Sequence, residues 1–146
     1  MDKSLIRHLD ISYNPLLTKR FYEVLVEILN EPDNLIERLE LEGNKVGDSI
    51  ISELVDVLIQ SKKIVYLNVS HNEVGDPGAR DLARLITQSP KLRLLFMHYN
   101  RVLGFGSNEI AEAVGQSESL QVFDISWNAI CGSGLTKKKE DEDKAA

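Results

Sequence analysis

The stretch Leu92-Arg93-Leu94-Leu95-Phe96-Met97-His98-Tyr99-Asn100 decides the reading of this chain. Its apolar residues at Leu92, Leu95 and Met97 precede Asn100 at spacings of three, two and three residues. Side chains of a strand alternate between two faces, so Leu95 and Met97 are expected to point into a core, and Leu94, Phe96 and His98 away from it. The outward set contains bulky residues with no evident place to bury.

The same spacing recurs on both sides of that stretch. It appears as Ile6, Leu9, Ile11 and Asn14; as Ile36, Leu39, Leu41 and Asn44; as Ile64, Leu67, Val69 and Asn72; and as Leu120, Phe123, Ile125 and Asn128. The asparagines are 30, 28, 28 and 28 residues apart, and five copies in one register make the period a strong signal. Strand units are therefore expected near residues 5–14, 35–44, 63–72, 91–100 and 119–128. Between them the spacing becomes helical, as in Leu54 and Leu58, or Leu82, Leu85 and Ile86.

The first helix reads through Leu17, Phe21, Val24, Leu25, Ile28 and Leu29. Its unit has two extra residues, which fall most simply in the turn Asn30 to Asn34, where Pro32 stops the helix. Asp76 before Pro77 is a favourable helix start, with the aspartate accepting from first-turn amides; Ser107 or Asn108 is expected to do the same in the next unit. Strands joined by helices run parallel with a right-handed crossover, which stacks the units into an α/β solenoid with strands on the concave face and helices on the convex face. Each closing asparagine can donate to and accept from main-chain groups where the backbone leaves the strand, so its expected role is structural.

The 28-residue period, and above all the run from Leu67 to Ala83 that contains Asn72, Val74 and Gly78, resembles the ribonuclease-inhibitor class of leucine-rich repeat. That class places a small aliphatic residue two after the asparagine, here Val46, Val74, Val102 and Ile130. It places a glycine six after, here Gly78, Gly106 and Gly134, with Ile50 departing from the pattern. The resemblance covers about residues 5–134 and implies one leucine-rich repeat domain over residues 1–134. Similar repeats serve in cytoskeletal and ciliary complexes and in Ran GTPase-activating proteins, although no arginine here matches a catalytic one.

A chain of 146 residues with 42% apolar and 27% charged residues suits a single core. After Gly134 the chain turns to mixed charge, from Lys137 to Lys144, and residues 135–146 are expected to be a disordered tail. The net charge of −6 argues against nucleic acid as partner. No apolar run approaches the roughly 20 residues that span a bilayer, and no signal organisation is evident at Met1 to Leu5. The expectation is a cytoplasmic protein, of the cytoskeleton or cilium in one reading, without membrane insertion. No polar capping unit is evident at either end, which leaves two readings open: a fragment of a longer protein, or a subunit whose ends are covered by partners.

Chemistry is not evident. Cys131 is the only cysteine and has no paired thiol. His8, His71 and His98 lie in three repeats; stacking can bring His71 near His98, but a metal site needs further ligands, so surface histidines are expected. Ser12, Ser70 and Ser126, with Asp10 and Asp124 nearby, lack a nucleophile elbow. Gly104-Phe105-Gly106 is not a phosphate loop, and the sequon Asn68-Val69-Ser70 lies inside a strand. No catalytic residue, cofactor or metal is expected.

The outward strand positions carry the functional expectation. They are His8, Asp10 and Ser12; Arg38, Glu40 and Glu42; Tyr66, Asn68 and Ser70; Leu94, Phe96 and His98; Val122, Asp124 and Ser126. Tyr99 and Trp127 precede asparagines and belong on the rim. A concave patch of Tyr66, Leu94, Phe96, His98, Tyr99, Val122 and Trp127 is expected to bind a protein segment, with Glu40 and Glu42 favouring a basic stretch. A non-enzymatic interaction scaffold is the first expectation; a structural subunit of a cytoskeletal or ciliary assembly, or a small-GTPase regulator, are the alternatives.

Overall fold

Successive units pair strand to strand in the order of the chain. The computed structural model describes residues 4–130 and holds five strands, β1 (His8–Asp10), β2 (Arg38–Glu40), β3 (Tyr66–Asn68), β4 (Leu94–Phe96) and β5 (Val122–Asp124). They form one parallel sheet in the order β1-β2-β3-β4-β5, with Leu9, Leu39, Leu67, Leu95 and Phe123 in register. Four helices connect them: α1 (Lys19–Asn30), α2 (Asp48–Ser61), α3 (Asp76–Gln88) and α4 (Gly104–Gln116), each packed on the next. The expected alternation of strand and helix is thus observed, while Gly134, Cys131 and the charged tail lie outside the described residues. No helix among the described residues is long and apolar enough to cross a membrane.

The inward positions of the template are closed. Ile64, Leu67, Val69, Leu92, Leu95 and Met97 are buried, as are Val46, Val74 and Val102 two residues after the asparagines. Each such side chain contributes about 1.5–3 kcal/mol by leaving water. Their counterparts in the outer strands, Leu9, Ile11, Leu120, Phe123 and Ile125, are only partly buried. The helices add Leu25, Leu29, Leu54, Leu58, Leu82, Leu85, Ile86 and Ile110. One expectation fails in α1: Val24 and Ile28 face solvent, and Tyr22 is buried instead. Among the described residues α1 packs against α2 alone, so part of its apolar circumference has no helix to cover it.

The asparagines join neighbouring repeats through the main chain. The Asn72 carbonyl oxygen accepts from the amides of Asn44 and Val46, and its amide donates to the carbonyls of Leu41, Val69 and Ser70. Asn100 likewise accepts from Val74 and donates to Val69 and Met97. Asn34 uses the same chemistry to close the turn after α1, donating to the Leu29 carbonyl and accepting from the Ile36 amide.

Helix starts depart from expectation in an informative way. α3 does begin at Asp76, but neither Asp76 nor the N-cap residue Gly75 caps it; the Asp76 carboxylate instead accepts from the Leu103 amide of the next repeat. Asp48 does the same for Gly75 and Gly78. This explains the glycine: a Cβ on Gly78 would sit 2.6 Å from Asp48 Oδ1, and one on Gly106 2.6 Å from Asp76 Oδ1. Ile50 is tolerated because its preceding repeat carries Thr18, which caps its own helix at Phe21. Neither Ser107 nor Asn108 starts α4, which begins at Gly104; Ser107 Oγ donates to the Gly104 carbonyl.

Candidate functional site

The residue before each closing asparagine turns the backbone out of the strand. Tyr13, Gly43, His71, Tyr99 and Trp127 all have φ between 51° and 73°, the left-handed region. The amides of Tyr13, Gly43, His71 and Tyr99 still extend the sheet ladder, as in His71 to the His98 carbonyl (2.9 Å) and Tyr99 to the Ser126 carbonyl (3.0 Å). A left-handed residue other than glycine is disfavoured by roughly 1–2 kcal/mol. Here the ladder bond offsets part of that, and so does ring stacking, which contributes about 0.5–1.5 kcal/mol per pair.

The stacking is continuous along one stretch of rim. The His71 and Tyr99 rings lie 4.3 Å apart at 16°, and Tyr99 and Trp127 lie 5.2 Å apart at 4°. Trp127 is 72% exposed and Tyr99 43% exposed, so the stack ends on an open indole face. Tyr13 stands apart: it folds across Gly43, where a Cβ would lie 2.5 Å from its ring, and its hydroxyl donates to Glu42 Oε1 at 2.8 Å. The carboxylate at the other end of that bond raises the Tyr13 pKa.

On the sheet below the rim, side chains of adjacent strands meet. The Arg38 guanidinium lies 3.7 Å over the Tyr66 ring, and Tyr66 packs on Phe96 at 5.4 Å. Burial, with the Glu40 charge behind it, pushes the Tyr66 phenol up. Glu40 Oε1 is held by both His8 Nε2 and Arg38 Nε at 3.0 Å. Glu42 Oε2 accepts from Asn68 at 3.1 Å. His98 Nδ1 lies 2.9 Å from Ser70 Oγ and 3.3 Å from Asp124 Oδ2. Asp10, Asn68 and Asp124 each accept from the amide two residues on, so the serine column belongs to the main-chain turn.

The structure gathers Tyr66, Leu94 and Phe96 on the sheet, half-buried, with His98 beside them and Val122 exposed in register with Leu94. It places Tyr99 and Trp127 on the rim, and engages both Glu40 and Glu42 within the sheet. Sequence reasoning missed Tyr13, Gly43 and His71 as members of the Tyr99–Trp127 column, although all precede an asparagine. It also missed that Glu42 faces His71 and His98, at 3.7 and 3.9 Å. The grooves include one at the C-terminal ends of α3 and α4, away from these rings.

Comparison with known proteins agrees with this architecture. The family model described as leucine-rich repeat matches residues 60–83 and 116–137. Among solved structures, one titled Leiomodin-1 Actin-Binding Site 2 is similar with a TM-score of 0.74 at 16% identity, covering 96% of this chain and 89% of that one. The tropomodulin C-terminal domain of Caenorhabditis elegans is similar with a TM-score of 0.64 at 18% identity, covering 84% and 89%. A search of curated proteins finds no match.

Proposed function

From the premise that the chain is a leucine-rich repeat protein, we propose that it is a non-enzymatic interaction scaffold whose strand face and rim bind a protein segment. One observation carries the reading: the unbroken stack His71–Tyr99–Trp127, ending on an exposed indole, beside the Tyr66–Phe96 pair. Rings already held by their neighbours lose little freedom on binding, and exposed aromatic clusters are frequent anchors. Leu94, Phe96, Tyr99 and Trp127 serve as the anchors, with Tyr66, His98 and Val122 around them. Because the oxygens of Glu40 and Glu42 are engaged internally, they attract a basic stretch through their field rather than by direct pairing.

The test compares wild type with Phe96→Ala plus Trp127→Ala in partner recovery from native extract, with far-UV circular dichroism confirming the fold. Loss of anchors of this kind is expected to weaken binding by about 30-fold or more, as for hot-spot residues of about 2 kcal/mol. Unchanged recovery would remove these residues from the site.

A second, cytoskeletal reading is favoured by the likeness to a domain titled for actin binding. Co-sedimentation of the purified chain with filamentous actin tests it. Pelleting of wild type, lost in the double variant, supports the reading; no pelleting at any actin concentration removes it.

A further inference from the structure

We propose that Glu42, His71 and His98 form a binding site for a divalent first-row transition metal ion, with zinc as its representative. Glu42, Ser70 and His98 occupy the same position in three successive repeats, so the two long side chains lean toward each other over the small, buried serine. His71 joins them from the left-handed turn of the third repeat. One ligand atom from each residue lies within 4.8 Å of the others. Glu42 Oε1 is 3.7 Å from His71 Nε2 and 3.9 Å from His98 Nε2. Tetrahedral zinc with bonds of about 2.0–2.1 Å needs donors roughly 3.3 Å apart. Movements of about half an ångström, available to partly exposed side chains, bring both Glu42 distances to that value.

The surrounding contacts are those that orient ligands. His98 Nδ1 lies 2.9 Å from Ser70 Oγ and 3.3 Å from Asp124 Oδ2, and in the tautomer with its proton on Nδ1 the Nε2 lone pair faces Glu42. A carboxylate behind a ligating histidine fixes its tautomer and ring orientation. Glu42 is held by Tyr13 through Oε1 and by Asn68 through Oε2, so the carboxylate is placed before any ion arrives. His71 is braced by stacking on Tyr99. Two imidazoles and one carboxylate suit zinc and its neighbours better than magnesium or calcium. The fourth position opens to solvent, since the His71 side chain is 42% exposed.

A second grouping, His8, Asp10 and Glu40, brings three such atoms equally close. It differs in a decisive respect: Arg38 donates to the same Glu40 oxygen that His8 contacts, so a cation already occupies the site. Among the described residues no lysine or arginine pairs with Glu42.

Isothermal titration of the chelator-stripped chain with zinc chloride tests the inference. One ion per chain is expected, with affinity falling about 10–100-fold in Asp124→Asn, whose carboxylate faces His98 without being a ligand. Larger losses are expected in Glu42→Gln and in His71→Ala, and His8→Ala should bind as wild type does. Circular dichroism on each variant separates lost ligands from lost fold, and Glu42→Gln keeps the side-chain shape if His71→Ala unfolds. Absence of binding at millimolar zinc, binding unchanged in both Glu42→Gln and His71→Ala, or loss in His8→Ala would each overturn the site.

Discussion

The two halves of the strand face are built on one backbone and satisfy their side chains in opposite ways. On β1 and β2 charges alternate across the step between repeats: His8 and Arg38 share Glu40, and Arg7 pairs with Glu37. On β3 to β5 rings follow rings, on the sheet from Tyr66 to Phe96 and on the rim from His71 to Trp127. A parallel register puts equal template positions of successive repeats side by side, so the chemistry of a column is set by what recurs in it. Opposite charges at neighbouring positions neutralise one another, as Glu40 does for His8 and Arg38 although the register itself sets His8 beside Arg38. Aromatic residues in a column leave the last ring face open, which is why recognition is assigned to the second half.

Asn72 lies where the halves meet, and its removal is the most damaging way to separate them. It is buried and makes five hydrogen bonds, two to repeat-two amides, one to a repeat-two carbonyl and two to repeat-three carbonyls. Asn72→Ala strands those groups away from water and is expected to destabilise by about 3–5 kcal/mol. Asn14→Ala, at an exposed position with two donor contacts of its own, is expected to lose about 1 kcal/mol or less. Urea unfolding of both variants measures the difference; equal losses would mean that the asparagines do not join repeats as described.

The rim offers a smaller and more local intervention. Gly43 interrupts the aromatic column; its φ is 73°, and the Tyr13 ring passes 2.5 Å from where a Cβ would lie, which leaves no room for a side chain. Gly43→Ala is expected to destabilise by about 1–2 kcal/mol from backbone strain alone, and to lift Tyr13 off Glu42. Urea unfolding reads the first effect and tyrosine ultraviolet titration the second, because the Tyr13 pKa should then fall back toward its ordinary value. An unaltered titration would show that the Tyr13–Glu42 bond does not depend on the glycine.

Much of this architecture is legible in the sequence, for a physical reason. Leu92, Leu95, Met97 and Asn100 recur in kind because each strand must bury the same positions and close the same turn, so the spacing persists while the side chains vary. The contacts of Asp48 and Asp76 were not legible. A carboxylate before a helix looks like a local cap, and only the placement of the next repeat shows that its acceptor role is taken up there. Val24 and Ile28 read as core because helical spacing reports a face but not whether another helix covers it. The left-handed aromatics were half legible: their column is visible, but bulky residues give no sign of a backbone conformation they disfavour. Glu42 and His98 share a template position two repeats apart, but His71 comes from the repeat between them one residue later, so no single period reveals the three together.

The smallest expected effect concerns the outer strands of the two halves, where Asp10 and Asp124 hold the same template position. Asp10 is held below the usual carboxylate range, first by the Ser12 amide; Asp124 is lowered first by the Ser126 hydroxyl and then by its amide. A depressed folded pKa stabilises above the unfolded value of about 3.9 and loses that contribution as pH falls toward the folded value. Both groups are largely solvated, so the change is slight. Asn68 holds the same position with a neutral amide and makes the same contact to Ser70, at 3.0 Å. Asp10→Asn with Asp124→Asn should therefore preserve the turns and flatten the decline of the urea midpoint below about pH 4. An acid profile identical to wild type would show that these turns contribute nothing to the pH dependence of either half.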